Sequence, residues 1–240
     1  MVELAATGIA GLDTVLGGGL VRDSTVLVSG NPGTGKTILG IQYLYNGVQE
    51  FDEPGVYLTF EEDESDIREA AESLGFDEWG SFVENGDIAV YDKGLLLREQ
   101  SFSTTLEELL AEFERTQYDR LVVDSLTMLS LFFETEREKR TYLLKLSDIL
   151  KENGLTTLFV AEQGSRFPGH EVGLEHFLTD GNISLIQAPT DSGVNRYVWV
   201  AKMRKRPIKT DIFPIDIGEG GITVHDRASG FSLMGDEDVF

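Results

Sequence analysis

The sequence predicts an α/β fold: a mostly parallel central sheet, helices on both faces, and antiparallel hairpins at the C-terminal end. Three observations carry that expectation. Short apolar runs of strand length recur at 26–29, 56–60, 88–91, 121–124, 157–161 and 183–186. Helical patterns with one apolar stripe lie between most of them. A glycine-rich loop joins the first run to the first helix. Strands that alternate with helices pair in parallel and need cover on both faces.

The first unit is the most specific. Thr25-Val26-Leu27-Val28-Ser29 is a short, β-branched apolar run, as a buried parallel strand should be. Gly30-Asn31-Pro32-Gly33-Thr34-Gly35-Lys36-Thr37 follows and fits G-x-x-x-x-G-K-[ST], the Walker A pattern, at every fixed position. The helix then reads from Ile38 to Leu44. In this order the loop N–H groups and the positive helix end surround a polyphosphate. The phosphate-binding candidates are therefore Asn31, Pro32, Gly33, Thr34, Gly35, Lys36, Thr37 and Ile38. Lys36 supplies a point charge for the β and γ phosphates, and the Thr37 hydroxyl is a ligand for Mg²⁺.

Later elements follow the same logic. Ile67, Ala70, Ala71 and Leu74 recur at i, i+3, i+4, i+7, and so do Leu106, Leu109, Leu110 and Phe113. Thr104 with Glu107 and Thr135 with Glu138 fit capping boxes at helix starts. Gly154 suits a helix C-terminus. Beyond residue 180 the pattern changes. Runs at 183–188 and 197–203 flank a turn at 191–195, and runs at 213–217 and 222–224 flank Gly218-Glu219-Gly220-Gly221. Both read as hairpins added to one edge of the sheet.

Three further segments carry candidate chemistry. Leu121-Val122-Val123-Asp124 is an apolar strand ending in a carboxylate, the Walker B pattern. Asp124 there can hold Mg²⁺ or its water opposite Thr37. Glu61 and Glu62 follow the 56–60 run, at the strand end where open α/β sheets bind ligands. One of them can orient and deprotonate an attacking water; a solvated acidic loop is the plainer alternative. The segment 202–209 holds five basic residues, and strand alternation places Lys202, Arg204 and Arg206 on one face. It suits a phosphate, a nucleic acid, an acidic neighbour or simply a charged sheet edge. His170, His176 and His225 share no metal-ligand spacing.

Composition bounds the rest. The 240 residues suffice for one large domain spanning 1–240, and 41% hydrophobic residues support a core. No apolar run approaches the roughly 20 residues needed to cross a bilayer. The start has no basic region, so a cytoplasmic protein is expected. Zero cysteines exclude disulfides and thiolate chemistry. Forty-two acidic against twenty basic residues give a net charge of −22. Such a surface repels itself in dilute buffer, and at about 1 M salt the Debye length falls to about 3 Å. A salt-rich cytoplasm fits that composition. The same charge argues against the broad basic face of a DNA binder.

Taken together, these segments resemble the RecA/RadA superfamily, and most closely the single-domain archaeal relatives of the KaiC clock ATPase. Thr7-Gly8-Ile9-Ala10-Gly11-Leu12-Asp13 with Leu16-Gly17-Gly18-Gly19-Leu20 resembles the family's opening before Walker A. Thr59-Phe60-Glu61-Glu62 is similar to its strand and paired catalytic glutamates, and Asp124-Ser125-Leu126 to its Walker B. The segment from Glu175 to Gly181 and Lys202-Met203-Arg204 resemble its later motifs. The resemblance implies a RecA-like P-loop fold, ATP and Mg²⁺ as cofactors, and a homo-oligomer, usually a hexameric ring, with ATP between subunits. It implies catalytic roles for Glu61, Glu62 and Lys36. It also implies that Lys202 and Arg204 reach the γ-phosphate held by the adjacent protomer. The autophosphorylation segment of the clock protein has no match, and the acidic composition points to a haloarchaeal relative. The expected function is slow Mg-dependent ATP hydrolysis in a regulatory role with an unidentified protein partner. The alternatives are an ATP-gated assembly module and a RadA-like DNA-dependent ATPase.

Overall fold

The computed structural model describes residues 2–92, 115, 117–129, 133–163, 175–190 and 193–227. The second helical stripe (Leu106 to Phe113) and the Thr104–Glu107 capping box lie outside the described residues.

The chain opens with β1 (Leu4–Ala5), a short α1 (Leu12–Val15) and β2 (Leu20–Val21), and β1 pairs antiparallel with β2. Then come β3 (Thr25–Gly30), α2 (Lys36–Phe51), β4 (Gly55–Thr59), α3 (Glu64–Ser73), α4 (Trp79–Asn85) and β5 (Ile88–Tyr91). The middle holds β6 (Arg120–Asp124), α5 (Leu126–Leu129), α6 (Glu136–Glu152) and β7 (Thr156–Glu162). The last part holds α7 (Glu175–Leu178), β8 (Gly181–Thr190), β9 (Gly193–Met203), β10 (Ile212–Gly218) and β11 (Gly221–Val224).

Among the described residues one sheet of nine strands runs β11-β10-β9-β8-β3-β7-β6-β4-β5. The pairs from β8 to β5 are all parallel. The pairs β8–β9, β9–β10 and β10–β11 are antiparallel. All six expected strand runs and both C-terminal hairpins form, but β9 begins at Gly193, so Gly193, Val194 and Asn195, expected in the turn, pair with β8 instead. The phosphate-loop strand β3 lies in the interior of the sheet, between β7 and β8.

Period-two alternation sorts the strands' side chains onto two faces. Val26, Val28, Tyr57, Val122, Leu158 and Val160 pack toward α2, with Tyr43 and Leu44. Leu27, Val56, Leu58, Leu121, Val123 and Phe159 pack on the other side with Leu143, Leu146 and Leu150 of α6. The sheet is therefore covered twice, which is why its central strands read as continuous apolar runs. Burying each such side chain is worth about 1.5–3 kcal/mol.

The helix ends follow local chemistry. The Thr135–Glu138 capping box forms: Thr135 Oγ1 accepts from the Glu138 N–H, and Glu138 accepts from the Thr135 N–H, both at 3.2 Å. Gly154 takes φ +74 just after α6, a conformation that favours glycine, and the chain turns into β7. The base of the sheet is fastened by a fully buried Arg120. Its guanidinium donates to Glu53 Oε2 at 2.7 Å, to Tyr43 O at 2.8 Å and to Ala6 O at 2.8 Å. Glu53 also pairs with Arg22. One arginine thus joins β6, α2 and the N-terminal segment.

Two expectations about the basic segment are corrected. Strand β9 ends at Met203, so Lys202, Arg204 and Arg206 do not share a strand face. Arg204 lies in the following turn, where Lys205 takes φ +66. Nor is β9 an edge, because β10 and β11 pair outside it. A single-strand periodicity cannot see a turn that begins two residues early.

Candidate functional site

The site forms at the carboxyl ends of β3, β4, β6 and β7, the ligand-binding side of an open α/β sheet. After β3 the chain turns through Gly33 at φ +79 and Gly35 at φ +100. The loop is closed on itself. Asn31 O accepts from Thr34 Oγ1 at 2.8 Å and from Lys36 Nζ at 3.2 Å. It is also held from outside: Gly33 O accepts from Gln187 Nε2 at 2.7 Å and from Arg196 Nε at 3.3 Å. A Cβ on Gly35 would sit 2.7 Å from Ile217 Cδ1. Glycine there lets the loop lie directly under the β10 strand.

Helix α2 begins at Lys36 with no side-chain cap. The N–H groups of its first turn therefore have no partner within the helix. That is the donor set an oxyanion requires. The cleft above it has a volume of about 360 Å³ and is lined by Gly33, Gly35, Lys36, Thr37, Ile38, Arg196 and Ile217. A larger cavity of about 690 Å³ lies beside Phe133, Thr141 and Tyr142 of the α6 end. It contains no phosphate loop, and the smaller cleft carries the chemistry.

Thr37 Oγ1 donates to Asp124 Oδ2 at 3.0 Å. Walker A and Walker B thus meet across 87 residues of sequence. Tyr57 OH donates to the same oxygen at 2.8 Å. Burial raises the Asp124 carboxyl above its ordinary value, and the two hydroxyl donors partly offset that shift. Burial lowers the Lys36 ammonium, and the carboxylates of Glu162, Asp124 and Glu61 oppose it. Among the described residues no group of three or more His, Asp or Glu is placed to hold a metal alone. A Thr hydroxyl and one carboxylate beside a phosphate cradle match how Mg²⁺ is bound, through few protein ligands plus phosphate oxygens. The residues present fit both ATP and Mg²⁺.

Glu61 and Glu62 stand in the bend between β4 and α3. Glu61 Oε1 accepts from Ser125 Oγ at 2.6 Å, directly after the Walker B aspartate. Glu62 is oriented by its backbone, which donates to Thr59 Oγ1 at 3.0 Å. Lys36, Thr37, Asp124 and Glu61 are brought together at one end of the sheet.

Lys202 and Arg204 are not part of that cluster. Lys202 pairs with Asn182, which aligns with Leu27 of β3, so it lies toward the opposite end of the sheet. Four residues of strand separate the Val26 row beside Arg204 from Gly30, roughly 13 Å. Lys202 Nζ donates to Thr179 O at 2.5 Å and His176 O at 3.1 Å. Arg204 pairs with Asp180 at 3.5 Å. Both cations face away from the phosphate loop of their own chain.

Sequence reasoning missed four neighbours of the site. Glu162 ends β7 beside the loop and Gln163 follows it, its N–H donating to Gly30 O at 3.1 Å. The strand-end rule applied to Glu61 would have found them. Tyr57 reads as plain core, and Arg196 is placed only by the β8–β9 register. His225 pairs with Asp216 at 2.7 Å, His176 contributes its carbonyl, and His170 lies outside the described residues.

A mostly parallel sheet, a Walker A loop at its interior strand and a Walker B carboxylate bonded to it define a RecA-fold P-loop ATPase. Comparison with known proteins sharpens the class. A family model described as "ATPase: KaiC" matches residues 5–229. The chain belongs to this KaiC-like ATPase family. It is 32% identical over 230 residues to the circadian clock oscillator protein KaiC of Prochlorococcus marinus, covering 93% of this chain and 46% of that protein. The chain thus spans about half the length of the curated KaiC relatives. It is also 32% identical to a UPF0273 protein of Thermotoga maritima, covering 96% of this chain and 99% of the relative. The crystal structure of a KaiC-like protein from Pyrococcus horikoshii superposes with a TM-score of 0.82 at 34% identity, over 94% of this chain and all of that one.

Proposed function

We propose that residues 1–240 act as one ATPase domain that binds ATP with Mg²⁺ in the 30–38 cleft and hydrolyses it slowly. The observation that carries this reading is the convergence of Lys36, Thr37, Asp124 and Glu61 at the end of the parallel strands. The first-turn N–H groups of α2 and Lys36 hold the β and γ phosphates. Thr37 and Asp124 would hold Mg²⁺, which when bound would supply charge neutralisation for the phosphoryl oxygens. Glu61 is the group that orients the attacking water and accepts its proton, with Glu62 as its neighbour on the same bend. Ser125 donates to Glu61 Oε1 at 2.6 Å and holds that carboxylate beside the end of β6. Lys202 and Arg204 act on the nucleotide of an adjacent subunit, in a homo-oligomer that the family resemblance suggests is a hexameric ring. The role is regulatory, in a salt-rich cytoplasm and through a protein partner.

The test is steady-state ATPase activity of the wild-type chain with Mg²⁺, with and without DNA. The expected result is slow, DNA-independent phosphate release. Stimulation by DNA would favour the recombinase-like alternative, and ATP binding without release would favour the assembly module.

A further inference from the structure

Gly40 lies inside α2, where glycine costs roughly 1 kcal/mol relative to alanine. Its neighbours give the reason. A Cβ there would lie 2.9 Å from Val122 Cγ1, 3.3 Å from Tyr57 Cε2 and 3.4 Å from the Tyr57 hydroxyl oxygen. The missing side chain makes the slot in which the Tyr57 ring lies between α2 and the sheet. A phenylalanine ring would fill the same slot. The hydroxyl is the part that packing does not require.

That hydroxyl is fully buried, and it donates to Asp124 Oδ2 at 2.8 Å. The same oxygen accepts from Thr37 Oγ1 at 3.0 Å. Helix α2, strand β4 and strand β6 therefore meet at one carboxylate oxygen. Two donors of fixed position define where the carboxylate plane lies. One of them, Thr37, is itself a candidate metal ligand. The other, Tyr57, reaches the same oxygen from strand β4.

We infer that Tyr57 is a positioning residue that fixes the Asp124 carboxylate toward Thr37 and so sets how tightly the site holds a divalent cation beside bound nucleotide. The inference rests on Asp124 as the metal-supporting carboxylate. Groups that orient a ligand from behind contribute typically 10–100-fold to metal affinity.

The experiment is Tyr57→Phe, which removes only the hydroxyl. Mn²⁺ binding is read by electron paramagnetic resonance with a non-hydrolysable ATP analogue bound, and the melting temperature is recorded alongside. The expected result is a folded protein with metal-free nucleotide affinity within about twofold of wild type and Mn²⁺ affinity weakened by about 10-fold. In Asp124→Asn the same Tyr57→Phe change should add no further loss, because the two act through one contact. Mn²⁺ affinity within twofold of wild type in Tyr57→Phe would overturn the inference, and so would an equal added loss in the Asp124→Asn background. Wild-type Mn²⁺ affinity in Asp124→Asn alone would instead overturn the reading of Asp124 on which the inference stands.

Discussion

Thr37 and Asp124, 87 residues apart, share a 3.0 Å hydrogen bond that joins the start of α2 to the end of β6. The contact ties the phosphate loop to the far strand across β7, which lies between them. It also separates two kinds of residue. On the proposed function, Lys36 and Thr37 hold the nucleotide, whereas Glu61, which accepts from Ser125 beside Asp124, acts on the attacking water.

Binding and hydrolysis should therefore separate by mutation. Lys36→Ala removes the cation facing the phosphates, and nucleotide affinity should fall on the order of 100-fold. Glu61→Gln keeps the shape without the base, so affinity should hold while turnover falls by about 10²–10⁴. A fluorescent ATP analogue and a phosphate-release assay measure the two. Wild-type turnover in Glu61→Gln would assign water activation to another residue.

The Arg120 cluster is a stability element remote from the chemistry. Arg120→Met leaves Glu53 facing Arg22 alone and empties the donors to Tyr43 O and Ala6 O. Breaking a buried pair costs about 3–5 kcal/mol. Urea denaturation should show a loss of that order. A change below about 1 kcal/mol would mean that water replaces the guanidinium.

Asp180 gives a pH signature. Burial acts to raise its carboxyl, but Lys151 at 2.6 Å, the Thr25 N–H and Arg204 outweigh it, and the net shift is downward. A folded-state value below the unfolded one stabilises above the unfolded value, about 3.9, and that stability is lost as pH falls through the folded value. Asp180→Asn should thus be clearly less stable than wild type at pH 7, with the gap closing below about pH 4. A gap that stays constant with pH would mean that charge is not what Asp180 contributes.

Salt should act on the whole molecule. A net charge of −22 is self-repulsive at low ionic strength, and molar KCl screens it to about 3 Å. The melting temperature should rise steeply from low salt to molar KCl. A flat profile would remove the salt-adapted reading.

Much of this was legible in the sequence, for identifiable reasons. The strands were readable because a doubly covered sheet makes unbroken apolar runs, as at Val26–Val28 and Leu121–Val123. The phosphate loop was readable because its two fixed glycines have physical causes: a Cβ on Gly30 would sit 2.6 Å from Leu185 O, and Gly35 takes φ +100. What could not be read depends on register or on ring placement. Tyr57 looks like any core aromatic until β4 and β6 are paired. Arg196 reaches Gly33 only because the β8–β9 hairpin brings it there. The assignment of Lys202 and Arg204 to one strand face failed because β9 ends between them.

The most direct test of the central claim is subunit mixing. Lys202 and Arg204 bond to residues 176–180, away from the loop of their own chain, and on the proposed function they act on the nucleotide of a neighbouring copy. Arg204→Ala, expected to lower turnover, and Lys36→Ala, expected to lose nucleotide binding, are mixed under conditions shown to exchange subunits, and ATP turnover is measured. Random assembly gives about a quarter of interfaces an intact phosphate loop from one variant and an intact Arg204 from the other. The account predicts recovery of activity toward that fraction. No recovery in the exchanged mixture, or full wild-type activity in a strictly monomeric preparation, would contradict it.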